Sequence, residues 1–265
     1  MILYEHPLSP YAQKVKIALR EKGVAFALRR PDGIGSGKTG GDFATGNPRG
    51  EVPFLIDGAT RIFDSTIMLD FIEETWPQPP LMPASPPQRA AVRMVEEVMD
   101  THYEAINWGL GEIAYFRRAE GRMAARLRAA AAAQIADLHG WLTQQLGTAV
   151  WFSGGSFGRA DLSVVPFLNA SAGFGFPPAP GSALESWLAR ANARDSVAET
   201  AAEAAASLSS IGKAYKAVES GAFRRQYRDH RLEWMIRSGG FDVVASGLEN
   251  GDIRFIGTFS GSDPA

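Results

Sequence analysis

The sequence predicts an α/β domain followed by an all-helical domain, and three observations support this prediction. Short apolar strands alternate with helices over residues 1–76. A proline-rich linker over residues 77–87 cannot continue a helix. Helical periodicity then dominates residues 88–210, and residues 211–265 form a C-terminal extension. We therefore expect two domains, a linker and an extension that carries no recognisable motif.

In the first domain, local signals mark each predicted element. The strand candidates are residues 2–6, 25–30, 52–57 and 60–63. Asp57-Gly58 separates the last two strands and is a hairpin turn signal. A helix over 11–22 is closed by Gly23. A second helix, over 65–76, carries apolar residues at the spacing of a buried face.

The second domain is predicted to be helical throughout. Its helices are expected over residues 88–116, 121–146, 159–172, 182–193 and 195–210. The first is expected to bury Val95, Val98, Met99, His102 and Ile106, and the second is rich in alanine, a strong helix former. In the extension, residues 224–236 predict an amphipathic helix with a basic side. A second helix is expected over 241–248, and an extended stretch over 253–256.

Composition excludes several classes of function. A formal net charge of -2 gives no electrostatic case for binding nucleic acid or an anionic membrane. No apolar run approaches the length of a membrane span. The absence of cysteine removes disulfides, thiolate metal sites and redox pairs, and the four histidines are scattered. We expect a cytoplasmic protein that needs no metal.

Five short motifs occur in a defined order. They are Ser9-Pro10-Tyr11 with Val15–Leu19, Asn47–Pro53, Asp64-Ser65-Thr66, Phe157–Leu162 and Trp187–Arg194. Through these motifs, residues 1–210 resemble a cytosolic glutathione S-transferase of the serine type. The resemblance implies a thioredoxin-like first domain, an all-helical second domain, glutathione as co-substrate and a homodimer with two-fold symmetry.

Two other segments mimic unrelated enzymes. Gly33–Thr39 resembles a phosphate-binding loop, but Asp32 stands where its first glycine is needed, and two glycines end any helix that follows. Gly154–Gly158 matches the nucleophile elbow of hydrolases, which requires a preceding strand. We interpret the first segment as a glycine-rich surface loop. We interpret the second as a helix start in which Asp161 reaches back to free amides.

Ser9 is the candidate for activating the glutathione thiol. A thiol with a pKa near 8.5 is mostly protonated at neutral pH, so a hydrogen bond and a positive potential are needed to hold the thiolate. The Ser9 hydroxyl precedes the helix 11–22 and can donate that bond, while the helix N-terminus supplies the potential. Two alternatives stay open: Ser9 only caps the helix, or Tyr11 is the activating hydroxyl.

The remaining glutathione contacts follow from the resemblance and from the groups of the peptide. Val52, before a cis Pro53, is expected to pair its backbone with the cysteinyl residue. Ser65 offers its hydroxyl and free amides to the γ-glutamyl carboxylate, and Asp64 accepts from the ammonium. Both could instead act only as helix caps. Glu51 would repel the glycyl carboxylate, so Lys38 or Arg49 is expected to bind it.

The second substrate is expected between the domains, against the long helix 88–116. The candidate pocket residues on that helix are Tyr103, Asn107, Trp108 and Tyr115. An aromatic cleft of this kind favours a hydrophobic electrophile. The sequence thus predicts transfer of the glutathione thiolate by conjugation, ether cleavage or dehalogenation. The alternative is a non-catalytic binding or scaffold protein of the same fold.

Overall fold

The computed structural model describes residues 1–33, 35–36, 39–212 and 214–256. Its first part is a four-stranded sheet in the order β2-β1-β3-β4, with β1 parallel to β2 and antiparallel to β3, and β3 antiparallel to β4. The strands are β1 Ile2–Tyr4, β2 Ala27–Arg29, β3 Phe54–Asp57 and β4 Thr60–Phe63. The helices are α1 Pro10–Glu21, α2 Gly41–Gly46 and α3 Ser65–Thr75.

Capping residues position α1 and α3. Ser9 caps α1 and is followed by Pro10, whose fixed φ suits the first turn of a helix. Gly23 follows α1 with a φ of 65°, which glycine adopts without strain. Asp64 caps α3. Ser9 and Asp64, which cap these two helices, both line the cleft described below.

The second part is helical. Its helices are α4 Pro86–Val98, α5 Glu104–Ala114, α6 Gly121–Leu146, α7 Arg159–Gly173, α8 Ala183–Asn192 and α9 Asp195–Ile211. The α/β and all-helical fold class is therefore confirmed, and α6 has the predicted bounds.

The single helix predicted over 88–116 was wrong in one respect. A π-helical turn, Met99–Tyr103, separates α4 from α5. A π-turn accommodates one extra residue and so rotates the buried face of everything that follows. Consequently His102, which simple periodicity placed inside, is exposed, whereas Tyr103 is fully buried.

Asp161 organises the start of α7. Its carboxylate accepts hydrogen bonds from the backbone N–H groups of Phe152 at 2.8 Å and Gly158 at 3.1 Å. It also accepts from the indole N–H of Trp187 at 2.9 Å. Ser156, the serine of the hydrolase-like motif, is exposed and precedes this capped helix. The local interpretation of the segment is confirmed.

Buried ion pairs join α1 to the helical part. Lys14 contacts Glu96 of α4 at 2.8 Å, and Lys16 contacts Glu203 of α9 at 2.7 Å. Both lysine side chains are fully buried. Breaking such a pair leaves an uncompensated buried charge, at a cost of about 3–5 kcal/mol. These contacts therefore hold α1 in one position relative to α4 and α9.

The C-terminal extension is folded onto the rest of the chain. Its elements are α10 Ala214–Glu219, β5 Arg225–Gln226, α11 Asp229–Arg237, α12 Phe241–Glu249 and β6 Ile253–Arg254. β5 and β6 pair in parallel. The helix predicted over 224–236 begins only at Asp229, because the preceding residues form β5. Trp234 of α11 packs so closely on α5 that a side-chain carbon at Gly109 would lie 2.0 Å from its ring.

None of the helices in the described ranges combines the length and the apolar character needed to cross a membrane.

Candidate active site

A cleft of about 1170 Å³ lies between the sheet domain, the helical domain and the extension. Of the residues proposed from the sequence, the following line it: Ser9, Tyr11, Arg49, Val52, Pro53, Asp64, Ser65, Asn107, Trp108 and Tyr115. Lys38 lies outside the described residues. Tyr103 does not reach the cleft: it is fully buried, and its hydroxyl is bonded to His139 at 2.8 Å and Ser171 at 2.9 Å.

Ser9 has a hydroxyl at the start of α1 and in the cleft wall. Its oxygen accepts a hydrogen bond from the backbone N–H of Ala12 at 3.3 Å. A hydroxyl has one donor hydrogen in addition to its acceptor lone pairs, so this cap leaves the donor available. The positive end of the α1 dipole acts at the same point. An anion placed here would receive both a hydrogen bond and a favourable potential.

Tyr11 uses its hydroxyl elsewhere. The phenolic O–H donates to the backbone carbonyl of Asp100 at 2.6 Å. Burial raises the pKa of Tyr11 well above its ordinary value, and the negative charges of Glu104 and Asp100 raise it further. Its single donor hydrogen is therefore committed to the helical domain, which favours Ser9 as the hydroxyl that faces a ligand.

Val52 supplies an unpaired stretch of backbone at the cleft. The ladder between β1 and β3 reaches only Tyr4 opposite Phe54. Within the described part of the chain, the Val52 N–H and C=O make no backbone hydrogen bond. The Val52–Pro53 peptide bond is cis, as the resemblance implies. An extended peptide could pair with Val52 as a further strand.

Asp64 and Ser65 lie at the N-terminus of α3. One Asp64 oxygen accepts from the backbone N–H of Thr66 at 3.0 Å, and the other contacts Arg49 at 2.9 Å. The backbone of Asp64 has a φ of 80°, in a region that favours glycine. Ser65 is buried, lines the cleft and, among the described residues, makes no hydrogen bond through its hydroxyl. The free amides and hydroxyl at this helix start suit a carboxylate.

Arg49 is occupied by that contact. Sequence reasoning offered it as a partner for the glycyl carboxylate of glutathione, but the structure directs its guanidinium to Asp64 and across the ring of Phe63 at 5.3 Å. Arg49 and a ligand ammonium would therefore compete for the same aspartate. The cap uses one Asp64 oxygen, and the contact with Arg49 uses the other.

The extension contributes polar cleft residues that sequence reasoning missed. They are Arg224, Arg225, Gln226, Arg228, Asp229, His230, Arg231 and Arg254. Arg228 lies 3.9 Å from Glu51, the acidic residue beside Val52. The sequence signal for them was the predicted basic side of residues 224–236. In the structure that side faces the cleft.

Glu104, on α5, anchors the extension through His230 and Arg231. Its carboxylate accepts from Arg231 at 2.5 Å and contacts His230 at 3.0 Å. Burial raises the pKa of Glu104, but the Arg231 guanidinium and the His230 bond outweigh it and lower the pKa to about 2. Glu104 is thus a permanent anion at neutral pH, and it holds Arg231 and His230 in place.

Aromatic side chains form one wall of the cleft. The guanidinium of Arg225 lies 3.6 Å from the ring centroid of Phe116, and those of Arg225 and Arg231 lie 5.3 Å from that of Trp108. Tyr115 packs on Phe174 with a centroid distance of 5.4 Å. This wall combines aromatic rings with cations, so it is less purely apolar than the sequence led us to expect.

Comparison with known proteins gives matches in sequence and in structure. The family model for the glutathione S-transferase N-terminal domain matches residues 3–80. Glutathione S-transferase U28 of Arabidopsis thaliana is 30% identical over 163 residues, 61% of this chain and 68% of that protein. A stringent starvation protein A homolog of Histophilus somni is 36% identical over 95 residues, 36% of this chain and only 43% of that protein.

Solved structures agree on the fold. A rice glutathione S-transferase in complex with glutathione superimposes with a TM-score of 0.67 at 24% identity, covering 81% of this chain and 96% of that one. At this identity the likeness supports the architecture alone. The arginines of the extension have to be interpreted from the geometry of this chain.

Proposed function

Because the chain belongs to the glutathione S-transferase family, we propose that it binds glutathione in the cleft and transfers its thiolate to an electrophile. The observation that carries this proposal is the position of Ser9. Its hydroxyl stands at the N-terminus of α1, in the same cleft as the unpaired Val52 backbone and the N-terminus of α3. These three features match the thiol, the peptide backbone and the γ-glutamyl carboxylate of one ligand.

The chemistry asked of Ser9 is stabilisation of a thiolate. The ordinary thiol pKa of about 8.5 leaves only a few per cent ionised at neutral pH. A hydrogen bond from the Ser9 hydroxyl and the α1 dipole both favour the ionised form, and together they account for a fall of roughly 1–2 pKa units. The thiol first loses its proton to solvent. The thiolate sulfur then attacks the electrophile, either by addition or by displacement of a leaving group.

In the proposed pose, glutathione is held by Val52 and by the N-terminus of α3. The cysteinyl backbone pairs with Val52, and the γ-glutamyl carboxylate accepts from the Ser65 hydroxyl and the amides of α3. The ammonium contacts Asp64 and shares it with Arg49. The electrophile packs against the aromatic wall that contains Trp108. The reaction is conjugation, ether cleavage or dehalogenation.

A cytoplasmic homodimer is the proposed form of the enzyme. Two large apolar side chains support a partner surface: Ile67 on α3 is 54% exposed and Met94 on α4 is 58% exposed. These helices are linked by the ion pair between Arg93 and Asp70. Sedimentation velocity at micromolar concentration should give a dimer, and Ile67→Glu should shift it towards monomer. A monomeric parent protein would refute this part of the proposal.

A second candidate is a non-catalytic binding or scaffold protein of the same family. The observation that favours it is the contact between Arg49 and Asp64, which engages the carboxylate that the ammonium of glutathione needs. In that case titration calorimetry with glutathione would show no binding. Binding together with turnover of a generic aryl halide would support the enzyme.

The decisive test is the ionisation of bound thiol in Ser9→Ala and Tyr11→Phe. The ultraviolet absorbance of the thiolate should be followed across a pH series in saturating glutathione. Ser9→Ala should raise the pKa of the bound thiol by roughly 1–2 units and lower activity near neutral pH at least about tenfold, since each unit is about a factor of ten. Tyr11→Phe should leave the titration unchanged.

Ser85→Ala is the matched control. Ser85 also caps a helix in front of a proline, accepting from the backbone N–H of Gln88 at 3.4 Å, but it does not line the cleft. Both serine variants should lose about 1 kcal/mol of stability through the lost cap. Only Ser9→Ala should raise the pKa of the bound thiol. If Tyr11→Phe shifts it instead, the assignment to Ser9 is wrong, and if neither does, hydroxyl activation is wrong for this chain.

A further inference from the structure

The part of the extension that lines the cleft, here called the roof, carries a concentration of positive charge that thiolate transfer does not explain. Five arginines of the extension line the cleft: Arg224, Arg225, Arg228, Arg231 and Arg254. They come from β5, β6, α11 and the residues just before and after β5, so the fold of the extension brings them together. Arginine is the side chain best suited to bind a carboxylate, because its planar fork can donate two parallel hydrogen bonds.

Carboxylates of the chain neutralise some of these arginines. Arg225 is paired with the fully buried Glu112, and Arg231 with Glu104 at 2.5 Å. Arg228 is only 3.9 Å from Glu51, beyond hydrogen-bond distance. Among the described residues, these three acids are the ones that the roof arginines contact.

Arg254 has no side-chain partner in the part of the chain that the structure describes. Among the described residues its side chain makes no ion pair and no hydrogen bond, and its Nε is buried without an acceptor. The Nε of Arg228 is buried and unpaired in the same way. Arg254 is held in place by its backbone, because β6 pairs with β5 and its carbonyl accepts from the N–H of Tyr227 at 2.8 Å.

The surroundings of Arg254 disfavour a cation without an anion. Burial lowers the pKa of the Arg254 guanidinium below its ordinary value; Glu51 opposes this, while neighbouring arginines lower it further. The neighbours responsible are Arg231, Arg225 and Arg224. A half-buried arginine with other cations as neighbours is stabilised by an anion that enters the cleft.

We propose that Arg254, assisted by Arg228, binds a carboxylate of the second substrate, so that the preferred electrophile is an organic anion with an aromatic or apolar body. This inference rests on the proposed function. The aromatic body would pack on Trp108, whose ring already lies beneath the guanidinium groups of Arg225 and Arg231. The glycyl carboxylate of glutathione is the rival ligand for this arginine. We assign Arg254 to the electrophile because its neighbours Arg225 and Arg231 lie over the ring of Trp108, in the wall proposed for the electrophile.

A matched pair of electrophiles tests this assignment: a chlorodinitrobenzene and the corresponding chlorodinitrobenzoate. In both, the thiolate of glutathione attacks the ring carbon that bears chlorine, the C–S bond forms, the C–Cl bond breaks and chloride leaves. The two differ only in the carboxylate. The parent protein should have the higher kcat/KM for the benzoate, through a lower KM.

Arg254→Gln should lower kcat/KM for the benzoate roughly tenfold or more, which corresponds to about 1.4 kcal/mol for one lost charge-assisted hydrogen bond. The neutral compound should change by less than about twofold. Arg254→Lys should recover part of the preference, since it keeps the charge. Arg237→Gln is the control on the same extension, because Arg237 is 73% exposed and pairs only with Glu233 on the surface.

Glutathione and its glycyl monoester separate the two sources of carboxylate. If Arg254→Gln raises the KM for glutathione but not for the ester, Arg254 binds glutathione itself and the assignment to the electrophile is overturned. Equal losses for both electrophiles would also overturn it. If no electrophile reacts and glutathione does not bind, the proposed function has failed, whereas turnover of the neutral compound without any preference refutes only this inference.

Discussion

Asp64 combines three roles, and substitutions can separate them. It caps α3, it pairs with Arg49, and it holds a positive φ of 80°. Changing it to Ala, Asn and Gly removes these features in different combinations. The stability of each variant can therefore be calculated before it is measured, and independently of glutathione.

The cap contributes about 1 kcal/mol relative to Ala, but only a few tenths relative to Gly. The ion pair contributes about 0.5 kcal/mol, because both side chains are roughly one-third exposed and solvent screens them. A side chain at this φ costs on the order of 1–3 kcal/mol, which Gly avoids. Asp64→Ala should therefore lose about 1.5 kcal/mol, Asp64→Asn about 0.5 kcal/mol, and Asp64→Gly should equal or exceed the parent.

Urea denaturation and thermal melting measure this order. A gap of at least about 2 kcal/mol between the Gly and Ala variants corresponds to roughly 4–8 °C in Tm for a chain of this size. All three variants should bind glutathione more weakly, by about 1–3 kcal/mol for the lost charged acceptor. A Gly variant less stable than the Ala variant would show that the backbone is not strained, and a Gly variant with unchanged affinity would remove Asp64 from the ligand site.

Two other predictions concern the attachment of the extension. The pKa of Glu104 is about 2 in the folded protein against an ordinary 4.5, so its contribution to stability is present above pH 4.5 and is lost as the pH falls towards 2. Glu104→Gln should cost about 3 kcal/mol at neutral pH by leaving Arg231 uncompensated; a cost that does not shrink in that acid window would contradict the ion pair. Gly35→Ala should loosen the extension and speed its proteolysis, because the added carbon would lie 1.8 Å from the ring of Phe223. Gly40→Ala, with nothing within 4 Å, should leave the proteolysis rate unchanged.

Features that depend on neighbouring residues were predictable from the sequence. The starts of α1 and α3 were signalled by Ser9-Pro10 and by Asp64-Ser65, because a helix cap and its amides are adjacent in the chain. The alanine-rich composition of α6 predicted its bounds in the same local way.

Features that depend on distant residues were not predictable. The π-turn over Met99–Tyr103 contains neither glycine nor proline, and it follows from how α4 and α5 pack on other elements. The strand Arg225–Gln226 exists because Ile253–Arg254 pairs with it from across two helices, so the local helical pattern was misleading. The pairing of Arg49 with Asp64, rather than with a ligand carboxylate, likewise depends on where the fold places the two side chains.

The position of the extension in the chain determines the order in which the parts of the cleft form. Residues 214–256 are translated after both domains, and domains fold largely as units during synthesis. The Arg224 N–H donates to the carbonyl of Gly35 at 2.7 Å, so a segment translated later contacts a loop translated earlier. A nascent chain would hold Ser9 and Ser65 in place while its cleft is still open. The proposed preference for an anionic electrophile would arise only when the extension docks, and a ligand that contacts Arg254 would stabilise the docked extension by mass action.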